Sequence, residues 1–228
     1  MSEQSGFRAG RAWFEPLAPM ALVARLARWI DGRGSGRVAV AVDGPSDLVV
    51  DRGPAGAGPL AALIAQELAG LSRPVIAVTA SWWWRAPSLR LEHGHHDLDA
   101  LQHLWLDDAA VTREVLRPFA AGEPVLTRLR DPATGRSVRQ SREPVPPRGV
   151  LLLDGPFLSA GTLRFDAVVR LSVSAAALRR MLPAENSWWL PALQPYGVRA
   201  AGESEVMVAF DHPHAPAVRW PSEDAHIC

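Results

Sequence analysis

Residues 51–63 read DRGPAGAGPLAAL, and Gly53 and Gly58 stand where the two glycines of the phosphate-loop pattern G-x-x-x-x-G-K-[ST] would stand. Pro59 and Leu60 occupy the places of the lysine and the hydroxyl. In a working loop, successive backbone N–H groups and a helix N-terminus hold the phosphates, while the lysine bridges the terminal phosphates and the hydroxyl ligates magnesium. Pro59 removes the ammonium and one N–H, and Leu60 removes the metal-binding hydroxyl. At about 1.5–3 kcal/mol for each lost charge-assisted hydrogen bond, a micromolar nucleotide site falls to millimolar or weaker. What is left, Gly53, Gly56, Ala57 and Gly58, is either a vestigial cradle that holds an anion weakly or an Ala/Gly turn.

Two other groups carry side chains able to do chemistry. His93, His95, His96, Asp97, Asp99 and His103 supply nitrogen and oxygen donors of the kind zinc takes, but only Asp99 and His103 are one helical turn apart and no HExxH spacing occurs. A solvated loop is the reading preferred over a metal site. Trp82, Trp83 and Trp84 are consecutive, and on an extended segment Trp83 would face away from its neighbours. Together with Trp188 and Trp189 they form either core filling or an aromatic surface for a ring or a protein partner. No G-x-S-x-G elbow is present, so a serine hydrolase is not indicated.

The 228 residues, 48% of them apolar, suffice for one large core. Their 24 basic and 24 acidic residues cancel, which leaves no long-range field for nucleic acid or an anionic membrane; such binding would have to be local. Every basic residue is arginine, so a Walker-type lysine is missing from the whole chain. The single cysteine, Cys228, allows no disulfide framework or cysteine-based zinc site. Arg8, Arg11 and Glu15 interrupt the N-terminal region, so neither a signal peptide nor a membrane span is expected, and the expected location is the cytoplasm.

The elements that must position these groups follow from periodicity. Residues 1–19 read as a flexible segment and 20–228 as one domain. Leu22, Leu26 and Trp29/Ile30 recur at helical spacing between Met20 and Ile30, and the run GRGSG (32–36) then stops that helix. Those glycines precede a strand instead of following one, so they are not a dinucleotide fingerprint. Buried-type strands are expected at 37–42, 74–79, 149–155 and 167–173, with a short one at 48–50. Helices are expected at 60–71 and 98–106, and residues 125–140 read as a hairpin around a Pro/Gly turn. Continuously apolar strands alternating with helices argue for a three-layer α/β domain with a mostly parallel sheet.

In their order, RVAVAVDG, the Gly53–Gly58 loop, RPVIAVT, DLDAL, VLLLDG and AALRRMLPAENSWWL resemble the uridine kinase-like branch of the P-loop nucleoside kinases. The resemblance covers nearly the whole chain from Leu22 onward. It implies a P-loop kinase fold, ATP and magnesium as cofactors, and a nucleoside or nucleotide as partner. It places Asp154 at a strand end from which a carboxylate reaches magnesium through water, or else caps a turn. It also puts Arg179 and Arg180 in a phosphate-contacting lid, and Ser81, Trp82 and His96 beside the acceptor. Where the family carries an acidic pair, one of which serves as base, this chain has Ser81 and Trp82. The family also passes directly from its first strand into the glycine loop, whereas GPSDLVV intervenes here. Either 37–42 or 48–52 could then lie beneath the loop. The implied protein is a kinase relative with impaired catalysis. The alternatives are an active phosphotransferase using arginines such as Arg52, Arg85 or Arg179, and a non-catalytic protein-binding regulator.

Overall fold

A computed structural model describes residues 14–45, 60–196, 205–212 and 214–221. The 48–50 strand and the Gly53–Gly58 loop lie outside these. Seven strands form one sheet in the order β1-β7-β6-β5-β2-β4-β3. They are β1 (Glu15–Pro16), β2 (Val38–Asp43), β3 (Val75–Thr79), β4 (Val150–Gly155), β5 (Ala167–Ser172), β6 (Glu205–Ala209) and β7 (Ala217–Arg219). The five from β3 to β6 in that order pair in parallel, and β7 and then β1 add antiparallel at one edge. Glu15 and Pro16 of β1 come from the segment read as flexible.

The helices are α1 (Pro19–Asp31), α2 (Leu60–Gly70), α3 (Pro87–Arg90), α4 (Leu98–His103), α5 (Asp108–Val111), α6 (Arg117–Ala121), α7 (Ala175–Met181) and α8 (Leu190–Tyr196), with a π-helical stretch, Thr112–Leu116, joining α5 to α6. Alternation along the strands divides the interior in two. Val38, Val40 and Val42 with Val150 and Leu152 pack against α1, α2 and α7; Ala41, Leu151 and Leu153 pack against Val111, Val115 and Phe119 of the α5–α6 run. That is the three-layer arrangement expected from strands apolar on both faces. Residues 125–140 make a loose hairpin, bridged at Val125/Glu143 and Arg130/Ser137, with the Asp131 carboxylate accepting from the Ala133 and Thr134 amides. No helix among the described residues is long and apolar enough to cross a membrane.

The GRGSG run has a structural use. Arg73, fully buried at the end of α2, donates through Nη1 to the Gly34 carbonyl (2.9 Å) and through Nη2 to the Gly36 carbonyl (3.1 Å), with Asp31 at 3.5 Å. One guanidinium thereby ties the turn before β2 to the turn before β3. Replacing it by an apolar chain of similar volume leaves those carbonyls unpaired. Arg73→Leu is expected to lower stability by about 2–3 kcal/mol, read as a shift of the urea unfolding midpoint at unchanged slope.

Candidate functional site

The chain crosses from β4 to β5 over β2, so the two neighbours of β2 lie on opposite sides of it. In an open α/β sheet a ligand crevice forms at such a point, beyond the carboxyl ends of the strands. Here those ends carry Asp43 and Gly44 after β2, Asp154 and Gly155 on β4, and Ala80 after β3. The central strand at the crevice is Val38–Asp43; the other candidate stretch, 48–52, and the glycine loop lie outside the described residues. Gly44 N–H donates to the Gly155 carbonyl at 3.0 Å. A Cβ on Gly155 would stand 2.4 Å from the Ala80 Cβ, so glycine is what lets β4 and the turn after β3 close together.

Asp43 has no exposed surface. Its carboxylate accepts from the backbone amides of Leu158 (3.0 Å) and Ser159 (3.1 Å) and from the Tyr196 hydroxyl (2.6 Å), and it faces Arg170 Nη1 at 3.4 Å. Arg170, itself fully buried, also donates through Nε to Glu205 and lies 4.9 Å from the Tyr196 ring centroid. Burial pushes the Asp43 carboxyl above its ordinary pKa, against the pull of Arg170, Tyr196, Ser159 and Leu158. Burial opposes the Arg170 charge too, but Glu205 and Asp43 outweigh it and hold the guanidinium above its usual value. The Tyr196 hydroxyl is pushed up by burial and by the adjacent Asp43 charge, so it serves as a donor. This network fixes the turn after β4, where Phe157 has a φ of 63°.

The residues singled out from sequence fall in several places. Asp154, 5% exposed, is in register with Val42 and Thr79, so it projects from the face opposite Asp43. Arg179 and Arg180 are exposed in the last turn of α7, where Arg180 donates to the carbonyls of Ala176 (3.2 Å) and Asp211 (3.4 Å). Ser81 and Trp82 sit in a 3₁₀ turn, Ala80–Trp83, rather than in an extended segment. The Trp82 carbonyl accepts from the amides of Leu129 and Arg130, and Arg128 lies over its ring at 4.8 Å. The turn splits the tryptophans between the cores: Trp83 is buried in the second, against which Trp82 also packs, while Trp84 packs against the first. There Trp84 meets Trp105 (5.5 Å between centroids) and Trp189 (5.8 Å), and His96 approaches Trp188 at 5.0 Å. His96 and the tryptophans 84, 188 and 189 are thus gathered, whereas Trp82 joins the hairpin. Among the described residues no three His, Cys, Asp or Glu side chains come together as a metal site; Asp97 caps α4 and Asp99 faces His103 at 3.9 Å.

Sequence reading passed over Asp43, Arg170, Tyr196 and Glu205. A signal was present, since Arg170 interrupts AVVRLSV and Glu205 opens EVMVAF, and a charge inside an apolar strand requires a buried partner.

The sequence matches no protein-family model and no curated protein. Among solved structures, a possible uridine kinase from Bacillus stearothermophilus superposes with a TM-score of 0.54 at 17% identity, over 78% of this chain and 92% of that one. A "putative fructose transport system kinase" from Silicibacter sp. TM1040 superposes with a TM-score of 0.51 at 16% identity, over 78% and 96%. The chain has the P-loop kinase fold of these proteins. That fold holds nucleotide phosphate at the N-terminus of the helix following its central strand, with magnesium beside it. In this kinase-fold chain the corresponding helix, α2, opens with Leu60 and Ala61, both buried in the core. No lysine exists to bridge phosphates, and the Asp43 carboxylate is taken up by four internal donors. Among the described residues, the start of α2 offers magnesium no hydroxyl; residues 46–59 lie outside these.

Asp43→Ala would leave the Leu158 amide without its acceptor and take from buried Arg170 one of its two acids. It is expected to cost about 3–5 kcal/mol. Asp43→Asn, which keeps one acceptor oxygen, should cost less. Chemical denaturation of the two variants beside the parent checks both the size and the order.

Proposed function

We propose that this chain is a uridine kinase-like P-loop protein with impaired phosphoryl transfer, a pseudokinase whose nucleotide binding is weak or altered. One observation carries the reading: the first turn of α2, where a hydroxyl would ligate magnesium, is built of buried apolar side chains in a chain without lysine. Gly53, Gly56, Ala57 and Gly58 supply backbone amides for a weakly held anion. Arg179 and Arg180 belong to its lid side, and Asp154 is the strand-end carboxylate that the resemblance assigns to a divalent ion. Ser81 and Trp82, in the place of an acidic pair, offer no base to an acceptor hydroxyl, which removes a second part of the chemistry. The protein works in the cytoplasm as a binding or regulatory component.

The competing reading is an active ATP-dependent nucleoside phosphotransferase in which arginines replace lysine. Its support is the likeness to two proteins described as kinases. Arginine holds phosphate well, but it must reach the bridging position from another part of the chain.

Calorimetric titration with ATP, with and without magnesium, separates the two. The expected result is no saturation below about 1 mM, given the lost charge-assisted contacts. Micromolar binding that tightens with magnesium, together with ATP-dependent phosphorylation of a nucleoside, would overturn the proposal. In the reverse direction, Pro59→Lys with Leu60→Thr is expected to tighten Mg-ATP binding by about tenfold or more. Because Leu60 is buried, the double variant should also lose about 1–2 kcal/mol of stability. Unchanged affinity in a folded double variant would count against residues 53–58 as a phosphate cradle.

A further inference from the structure

The aromatic cluster carries a cation that the kinase reading does not use. The Arg90 guanidinium lies 4.6 Å from the Trp105 ring centroid and 5.2 Å from that of Trp84. Its Nε donates to the Arg85 carbonyl at 2.9 Å. Nη1 and Nη2 have no hydrogen-bond partner among the described residues, and no carboxylate there lies within ion-pair distance. Half-burial on the indole wall depresses its pKa, since desolvation acts with no acidic neighbour to offset it.

A guanidinium stacked on rings is held by the attraction of its charge to their π faces, while its in-plane N–H groups remain to be matched. Those N–H groups form a planar fork whose complement is a carboxylate or a phosphate. The wall continues beside it. Trp188 is 5.8 Å from Trp105, and the exposed His96 ring lies 5.0 Å from Trp188. Trp84 and Trp188 are half-buried, so both keep accessible ring surface. At the base, the buried Trp189 indole N–H has no partner among the described residues. An inorganic anion would engage only Arg90. A ring bearing the anion would engage the wall as well.

We propose that Arg90, Trp84, Trp105, Trp188 and His96 form a binding site for a small aromatic anion, a single ring carrying a carboxylate or a phosphate. The charged group sits on the free edge of Arg90 and the ring lies against Trp188 and His96. The site includes none of residues 53–60 and does not depend on whether the phosphate loop is vestigial.

The test titrates the purified full chain with phenyl phosphate and with benzoate, following tryptophan emission and calorimetric heat. Inorganic phosphate and phenol stand for the two halves. The expected result is saturation by at least one aromatic anion below about 1 mM, with each half binding about tenfold more weakly or worse. Preference between phenyl phosphate and benzoate identifies the anion. Arg90→Gln should weaken binding by about tenfold or more, with Arg90→Lys intermediate because it keeps the charge without the fork. The melting temperature of each variant shows that it is folded. No saturation by either aromatic anion, inorganic phosphate binding as tightly as phenyl phosphate, or unchanged affinity in folded Arg90→Gln would each overturn the proposal. If Arg90→Gln does not fold, the Arg90→Lys comparison decides alone. A Mg-ATP titration of the same variants keeps the questions apart, since micromolar ATP binding insensitive to Arg90 would overturn the pseudokinase reading and leave this one standing.

Discussion

A carboxylate without solvent must be compensated from inside the protein. Asp43 draws that compensation from three segments: the turn after β4, β5 through Arg170, and α8 through Tyr196. Arg170 then needs a second acid, which Glu205 provides from β6. One buried charge at the end of the central strand therefore engages, directly or through Arg170, four neighbouring segments. It also accounts for Phe157, whose positive φ costs a residue with a Cβ roughly 1–2 kcal/mol. The amides of the two residues after it, Leu158 and Ser159, both go to Asp43, and breaking either bond would cost a comparable amount.

The parallel strands were legible because burial on both faces demands unbroken apolar runs, as VLLLDG shows with all six residues buried. The α5–α6 run was not read, although Val111, Val115 and Phe119 recur every four residues and are all buried. β1 and β7, at two and three residues, are too short to leave a pattern. The Asp43–Arg170 contact spans 127 positions, and no local rule identifies which distant acid meets a strand arginine. The tryptophan triplet divides as its alternation suggested, with Trp83 buried and Trp82 and Trp84 half-buried, but a different geometry divides it. Alternation holds for extended chain, but the close approach of Gly155 to Ala80 accompanies a 3₁₀ turn there, and the turn deals Trp83 and Trp84 to different cores. For the glycine loop the sequence spacing remains the only guide.

The start of α2 shows how catalytic equipment and packing compete for one position. A phosphate-binding helix keeps its first turn wet, with amides and a hydroxyl turned toward the ligand. Here Leu60 and Ala61 are buried there, continuing the apolar face that Leu63, Ile64 and Leu68 present to the first core. Full burial of a leucine contributes about 1.5–3 kcal/mol. On the proposed pseudokinase reading, packing at this position has taken the place of the groups that would use the fold, and the fold itself is kept.

On the same reading, the segment after β3 would carry a corresponding change of electrostatic sign. A hydroxyl acceptor needs a carboxylate to take its proton, and that carboxylate must stand near the end of this strand. Ser81 and Trp82 occupy the place, the Trp82 carbonyl is engaged by two hairpin amides, and the charges stacked on this stretch are the guanidiniums of Arg128 and Arg90. A cationic, aromatic wall does not deprotonate a neutral alcohol. It favours a ligand that arrives already ionised, because an anion there regains as pairing energy what the partly desolvated Arg90 lost on burial. The proposed pseudokinase reading and the proposed anion site are thus consistent with one another: on the first, α2 and the segment after β3 both lack what phosphoryl transfer to a neutral acceptor requires, and on the second, the wall after β3 suits a different class of molecule.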